Sequence, residues 1–466
     1  MWRNFVRLHF AMDRRQCAPI LSATGAAVQA RGASGTQQPQ LCVGDACARW
    51  PSAGGVRGAL QRTGVWMTPP RPRGAPAGRV EGLYDSVFNA KWSHVLGFPE
   101  GEGEKMAVKE GQAPAKPWEY EALLTTVRLE DGATQSRAPR LRLVVLSSEK
   151  GWLHAPKEGA ALADCHVTAE VERVWRIVKC FLPFLFLTRE PGRCDVKPFL
   201  LLGTPGIGKS MDVGSYILYG LLQYDAARLN VAVYCFGAEL AYVFDKEEKT
   251  VTAHEGAENV AGAVKALWGR GKNGFVVYDV AEEGAPPPPE LQPAGWGLLV
   301  LASPNGSNFK AWGRNVGARF IIMNCPDEND VKAMCAWETR HQPAQAQADY
   351  WETVDSRMER VGPFPRYVLS EAAFNGRTEA VESALQAIDA SVAKDYFARE
   401  AEIFWCEENP FKKFVKVERE CGKYGHEIVK LSTISDYVDR QMVDRLCEVL
   451  GDGGALSLLS GAPGAA

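Results

Sequence analysis

Lysine is missing from the first 80 residues, which hold eleven Arg and, as acids, only Asp13 and Asp45. That stretch carries +9 in a chain whose net charge is −3, so the remainder is acidic. It shows no sustained hydrophobic period of either kind and reads as a disordered basic leader, residues 1–80. The twelve cysteines include no C-x-x-C pair, the closest two being Cys42 and Cys47. This spacing argues against a disulfide framework or a structural zinc site and for a reducing compartment. No apolar run approaches the length of a membrane span: the longest candidate, Phe181–Leu187, has seven residues and contains Pro183. The seven histidines are scattered, no Ser/His/Asp arrangement is readable, and nothing repeats at a fixed period. Tyr234, Phe236, Trp296 and Trp312 sit in apolar or loop contexts and read as packing rather than a base-stacking platform.

What is present is LLGTPGIGKS, residues 201–210, an apolar run that turns into a glycine-rich loop. It fits G-x-x-x-x-G-K-[ST] through Gly203, Gly208, Lys209 and Ser210. Glycines reach backbone angles that other residues avoid, so successive N–H groups of Gly203, Thr204, Pro205, Gly206, Ile207 and Gly208, Pro205 lacking one, can turn toward a phosphate. The following helix adds its positive end. Lys209 would reach the β- and γ-phosphates, and the Ser210 hydroxyl would enter a Mg²⁺ shell. The ligand implied is ATP or GTP with Mg²⁺.

Such a cation needs a carboxylate at the end of a neighbouring buried strand, and Asp279, after Phe275-Val276-Val277-Tyr278, fits. The residue after it is Val280, where many phosphate-loop ATPases carry a glutamate; Glu282 and Glu283 read as solvated loop charges, so the general base is unassigned. The strand LLVLA ends in Ser303-Pro304-Asn305, from which Ser303 or Asn305 would sense the γ-phosphate; the same residues also make a simple turn. Arg366, after the double-proline turn of GPFPRYVL, is placed to stabilise phosphate charge, or stands as a surface Arg. Lys412, Lys413, Lys416 and Arg419 read as a solvated face.

Strands and helices alternate from Lys197 onward, which predicts an α/β fold with a parallel sheet covered by helices. Expected strands are Pro198–Leu202, Val231–Phe236, Phe275–Val280, Leu298–Ala302 and, last, Arg319–Asn324, with a hairpin over Tyr242–Ala253 and a helix over Met211–Tyr224. Before them, Ala122–Leu129 and Leu141–Ser147 read as strands and Val171–Val178 as a helix face capped by Thr168. The organisation expected is a leader to residue 80, an amino-terminal domain over 81–195, a phosphate-loop core over 196–340 and a helical carboxyl-terminal region over 341–466.

The segments VEGLYDSVFNAKW, VERVWRIVK, LLGTPGIGKSMDVGSYILYGLLQYD, YVFDKEEKTVT, GFVVYDVAEEG, WGLLVLASPNGSN and IIMNCPDENDVKAMCAW together resemble the retrotransposon hot spot proteins of trypanosomes, over residues 81–417. The resemblance implies a P-loop NTPase related to crinkler-type proteins, in which the segment matching Val361–Tyr367 supports Arg366 as a sensor arginine. It also implies a nuclear location and chromatin or transcription-associated partners; the alternative is a mitochondrial location if residues 1–31, rich in Arg among apolar residues, act as a transit peptide. Both ends depart from the family pattern, as a truncated or recombined copy would, and a carboxyl-terminal endonuclease-like module is not expected. A non-hydrolysing chromatin interaction protein with a vestigial nucleotide site is the competing reading.

Overall fold

Apolar runs buried on both faces build the centre of the fold. The computed structural model describes residues 78–100, 103–115, 118, 139–154, 163–187, 196–280, 285–304, 312–391, 393, 410–421 and 427–460. Its main sheet has eight strands in the order β1 (Gly78–Arg79), β9 (Thr250–Glu255), β8 (Leu240–Asp245), β7 (Val231–Phe236), β10 (Gly274–Asp279), β11 (Gly297–Ala302), β6 (Phe199–Gly203) and β12 (Arg319–Met323). The five from β7 to β12 run parallel, and the hairpin β8–β9 extends them antiparallel. Strand β11 therefore separates the loop strand β6 from the aspartate strand β10, as in P-loop proteins with an additional central strand.

Side chains alternate between two cores. Leu201, Val277 and Leu299 face one side; Leu200, Val276 and Val300 face the other. All six are fully buried, and each contributes about 1.5–3 kcal/mol of transfer free energy. The second face is covered by helix α4 (Ala257–Gly269), through Val260, Val264 and Leu267, and by Trp296. The first is covered by the amino-terminal domain, whose helices α1 (Leu83–Phe88) and α2 (Ala169–Leu187) pack there together with α3 (Ser215–Gln223). The Thr168 hydroxyl accepts from the Val171 N–H at 3.5 Å at the start of α2.

A second sheet, β3 (Gly103–Lys109), β2 (Lys91–Glu100), β4 (Arg140–Ser147) and β5 (Asp164–Val167), is antiparallel throughout. Val144 and Leu146 point into the main core, while Leu143 and Val145 pack on Met334 and Trp337 of α5 (Glu328–Glu338). Asp327 caps α5 through a capping box with Asp330. Helices α6 (Ala344–Val361), α7 (Pro365–Val368) and α8 (Glu371–Gln386) follow.

The strand at 319–323 is not the last, as the sequence reading has it. Two more, β13 (Val415–Cys421) and β14 (Glu427–Thr433), form a hairpin before α9 (Asp436–Ser460), which is broken at Gly451 (φ +70°), so the carboxyl-terminal region is helical with a β-hairpin set into it. Arg419 also departs from the solvated-face reading. Its side chain is 6% exposed and pairs with Glu170 of α2 through two N–H···O contacts of 2.7 and 2.8 Å. The expected strand Ala122–Leu129 and residues 1–77 of the leader lie outside the described residues, but Gly78 and Arg79 pair with β9. Among the described residues no helix is long and apolar enough to cross a membrane.

Candidate functional site

Strand β6 delivers Gly203 to the edge of the sheet, and the chain then turns through residues 204–208. Gly206 (φ +89°) and Gly208 (φ +91°) hold left-handed conformations that a side chain would strain. A Cβ on Gly206 would also lie 3.2 Å from the Tyr367 ring, which rests on the loop from α7. Ile207 is buried and anchors the turn in the core. The helix expected over 211–224 begins instead with a wide turn, Lys209–Gly214, in which the Val213 N–H reaches Gly208 O at 3.0 Å. Turns of this width recur at functional sites. Its cause is visible: Asp212 is drawn toward the amino-terminal domain, where its Oδ1 accepts the His166 N–H at 2.9 Å and its carbonyl accepts the Cys165 thiol at 3.4 Å. Burial pushes the Asp212 carboxyl up to about 6.

Lys209 is buried, and its Nζ donates to Gly203 O at 2.7 Å and Thr204 O at 2.8 Å. Burial, and then the charge of Arg366, push its ammonium down to about 7, against the opposing pull of Asp279. The lysine thus rests on the carbonyls of its own loop. A polyphosphate would offer it a stronger partner.

Across the sheet, Ser210 Oγ donates to Asp279 Oδ1 at 3.0 Å. The other carboxylate oxygen, Oδ2, lies 3.0 Å from His154 Nε2, and Tyr234 Oη lies 3.1 Å from the same nitrogen. His154 comes from the amino-terminal domain, its ring edge-on to Tyr234 and Phe236 of β7. Burial, and then the Asp279 charge, hold the Tyr234 phenol far above its ordinary range, so it keeps its proton and donates it to Ser210 O at 3.4 Å. Its hydroxyl lies where a Cβ on Gly214 would stand, which explains a glycine inside the turn.

Thr204 faces away from the cradle. Its Oγ1 accepts from the Val417 N–H of β13 at 2.8 Å and lies 3.6 Å from Cys325 Sγ. Its hydroxyl therefore ties the loop to the hairpin. The Arg366 N–H donates to Gly206 O at 3.3 Å, and the exposed side chain lies within electrostatic reach of Lys209. Ser303 sits exposed just past the tip of β11. Asn305, Glu282 and Glu283 lie outside the described residues.

The fold thus gathers the loop, Ser210, Asp279 and the backbone of Arg366 at one edge of the parallel sheet. Two oxygen donors, Ser210 and Asp279, suit Mg²⁺, which binds through few protein oxygens and completes its shell with phosphates and water. Sequence reasoning missed His154 and Tyr234. A lone histidine 125 residues from its carboxylate gives no spacing signal, and Tyr234 reads as one more apolar strand residue.

A family model described as "Retrotransposon hot spot protein, P-loop domain" matches residues 200–456, and one described as "Retrotransposon hot spot proteins N-terminal" matches residues 84–193. No curated protein matches the chain.

Proposed function

Because the chain belongs to the retrotransposon hot spot protein family and carries its P-loop domain, we propose that it binds ATP or GTP with Mg²⁺ at residues 203–210 and works as a nuclear, chromatin-associated switch with slow hydrolysis. Nucleotide binding in general follows from the P-loop domain. The reading of the cation rests on the Ser210 Oγ to Asp279 Oδ1 contact of 3.0 Å. Those two side chains would hold Mg²⁺, which would supply charge neutralisation for the phosphates. Lys209 would leave Gly203 O and Thr204 O for the β- and γ-phosphates, and Arg366 would add charge at the γ end. Ser303, just past the tip of β11, or Asn305 would report the γ-phosphate. The nuclear location and the chromatin partners rest on the family resemblance alone, and imaging of the full chain with a tag after residue 466 tests the location against a mitochondrial one.

Titration with fluorescent ATP and GTP analogues tests the binding. Lys209→Ala should lower affinity by about a hundredfold, the worth of roughly 2.7 kcal/mol of charge-assisted contact; unchanged affinity overturns the assignment. One observation favours a switch that hydrolyses little or not at all: Val280 follows Asp279 where a water-orienting glutamate would stand. Equal, negligible turnover of the wild type and Asp279→Asn would support a binding-only or vestigial site.

A further inference from the structure

The cation end of the site is shared between the two matched regions of the chain. Asp279 lies at the end of β10, in the P-loop domain, and its carboxylate is held from two sides: Ser210 Oγ on Oδ1 and His154 Nε2 on Oδ2, each at 3.0 Å. His154 belongs to the amino-terminal domain, 125 residues earlier. Beside a carboxylate oxygen, Nε2 must carry a hydrogen, so the imidazole donates there.

Three observations set this histidine apart from a core residue that happens to find a partner. Its Nδ1 is buried and has no hydrogen-bond partner among the described residues, whereas buried polar atoms are nearly always satisfied. Its ring is wedged edge-on against Tyr234 and Phe236, with centroid distances of 5.2 and 4.8 Å, so the plane of the imidazole is confined. The Tyr234 hydroxyl, 3.1 Å from Nε2, abuts Gly214 in the turn that follows the phosphate loop. The packing fixes the ring while leaving one nitrogen unsatisfied, and the satisfied nitrogen is spent on Asp279.

The geometry points to His154 as a positioning residue of the nucleotide site, one that locks the Asp279 carboxylate plane so that Oδ1 is presented beside Ser210 before a cation arrives. A carboxylate held by Ser210 alone can rotate about its Cβ–Cγ bond. Held at both oxygens, it cannot. The amino-terminal domain thereby becomes part of the cation site, although it supplies none of the loop. This inference rests on the nucleotide reading above.

The test measures Mn²⁺ binding to the nucleotide-loaded full chain by electron paramagnetic resonance, alongside nucleotide affinity in EDTA. His154→Phe keeps a ring against Tyr234 and Phe236 but removes the donor; His154→Gln returns an N–H close to the position of Nε2. The expected result is a loss of Mn²⁺ affinity of about tenfold or more in His154→Phe, in the range found when a partner of a metal ligand is removed. Metal-free nucleotide affinity should stay within about twofold of wild type, and His154→Gln should recover most of the Mn²⁺ affinity, as expected when the orienting bond is restored. Wild-type Mn²⁺ binding by His154→Phe overturns the inference, as does an equal loss with and without metal, which marks a structural role only. Should His154→Phe fail to fold, His154→Leu takes its place beside His154→Gln: a metal-selective loss in His154→Leu that His154→Gln recovers supports the role, and Mn²⁺ affinities that do not differ between the two overturn it. A wild-type chain that binds nucleotide in neither condition overturns this inference and the nucleotide reading together, so the two failures are distinguishable.

Discussion

Thr204, the second residue of the phosphate loop, accepts the backbone N–H of Val417 at 2.8 Å, 213 residues along the chain. The loop is therefore fastened to the carboxyl-terminal hairpin by its own side chain. Thr204→Val keeps the shape and removes the acceptor, stranding a buried N–H. The expected cost is about 1–3 kcal/mol, read from urea unfolding. The Thr204 hydroxyl is spent on the hairpin, so nucleotide affinity should change by less than about threefold, well under 1.4 kcal/mol. A large loss of affinity at unchanged stability would contradict this division of labour.

Arg419 is the hinge of a buried ion network. It pairs with Glu170, which also contacts Arg173, and Arg173 in turn pairs with Glu427. Burial alone would push the Glu170 carboxyl up; Arg173 and Arg419 outweigh it and hold it below its ordinary range. Arg419→Leu leaves Glu170 short of a partner and should destabilise by about 3 kcal/mol. The double variant Glu170→Leu/Arg419→Leu should recover part of that loss, because it buries no unpaired charge. A double variant less stable than the single one, in the same unfolding experiment, would show that the network contributes more than its charges.

Lys246 is buried under α3, with Nζ donating to Leu221 O and Tyr224 O, and burial pushes its ammonium down to about 8. The unfolded chain holds that proton up to about 10.4. Between these values the unfolded state binds more protons than the folded one, so this group makes stability rise with pH from about 8 to 10.4. Below about 8 the cost of the buried charge is fully present. Lys246→Met should flatten that part of the melting-temperature profile, and an unaltered slope would refute the assignment.

The Arg366 charge already reaches Lys209 in the free protein. Arg366→Ala should therefore weaken triphosphate binding about tenfold more than diphosphate binding, roughly one charge-assisted contact at the γ end. Equal effects on the two ligands would remove Arg366 from the γ-phosphate.

The parallel sheet was legible because its strands are apolar on both faces: the expected Val231–Phe236 coincides with β7, and the other core strands shift by a residue or so. The loop and Asp279 were legible because their chemistry fixes residue types at readable places. The hairpin β13–β14 was not. VKVEREC and EIVKLST look half-solvated because Arg419 and Glu427 find their partners on α2, some 250 residues away. The same distance hid His154. The start of the helix after the loop was misplaced because Asp212, which local sequence would leave in an ordinary helical turn, is claimed by the His166 N–H of the amino-terminal domain.

Strand β12 stands at one end of the main sheet, where an open ladder invites another chain to pair. At Ile322, near its carboxyl end, both main-chain groups are already taken by side chains. Glu427 Oε2 accepts the N–H at 2.7 Å, and Arg173 donates to the carbonyl at 2.6 Å. A carboxylate and a guanidinium thus mimic the missing neighbour at Ile322, and at that point the border of the sheet is closed to strand-by-strand pairing with its own copies.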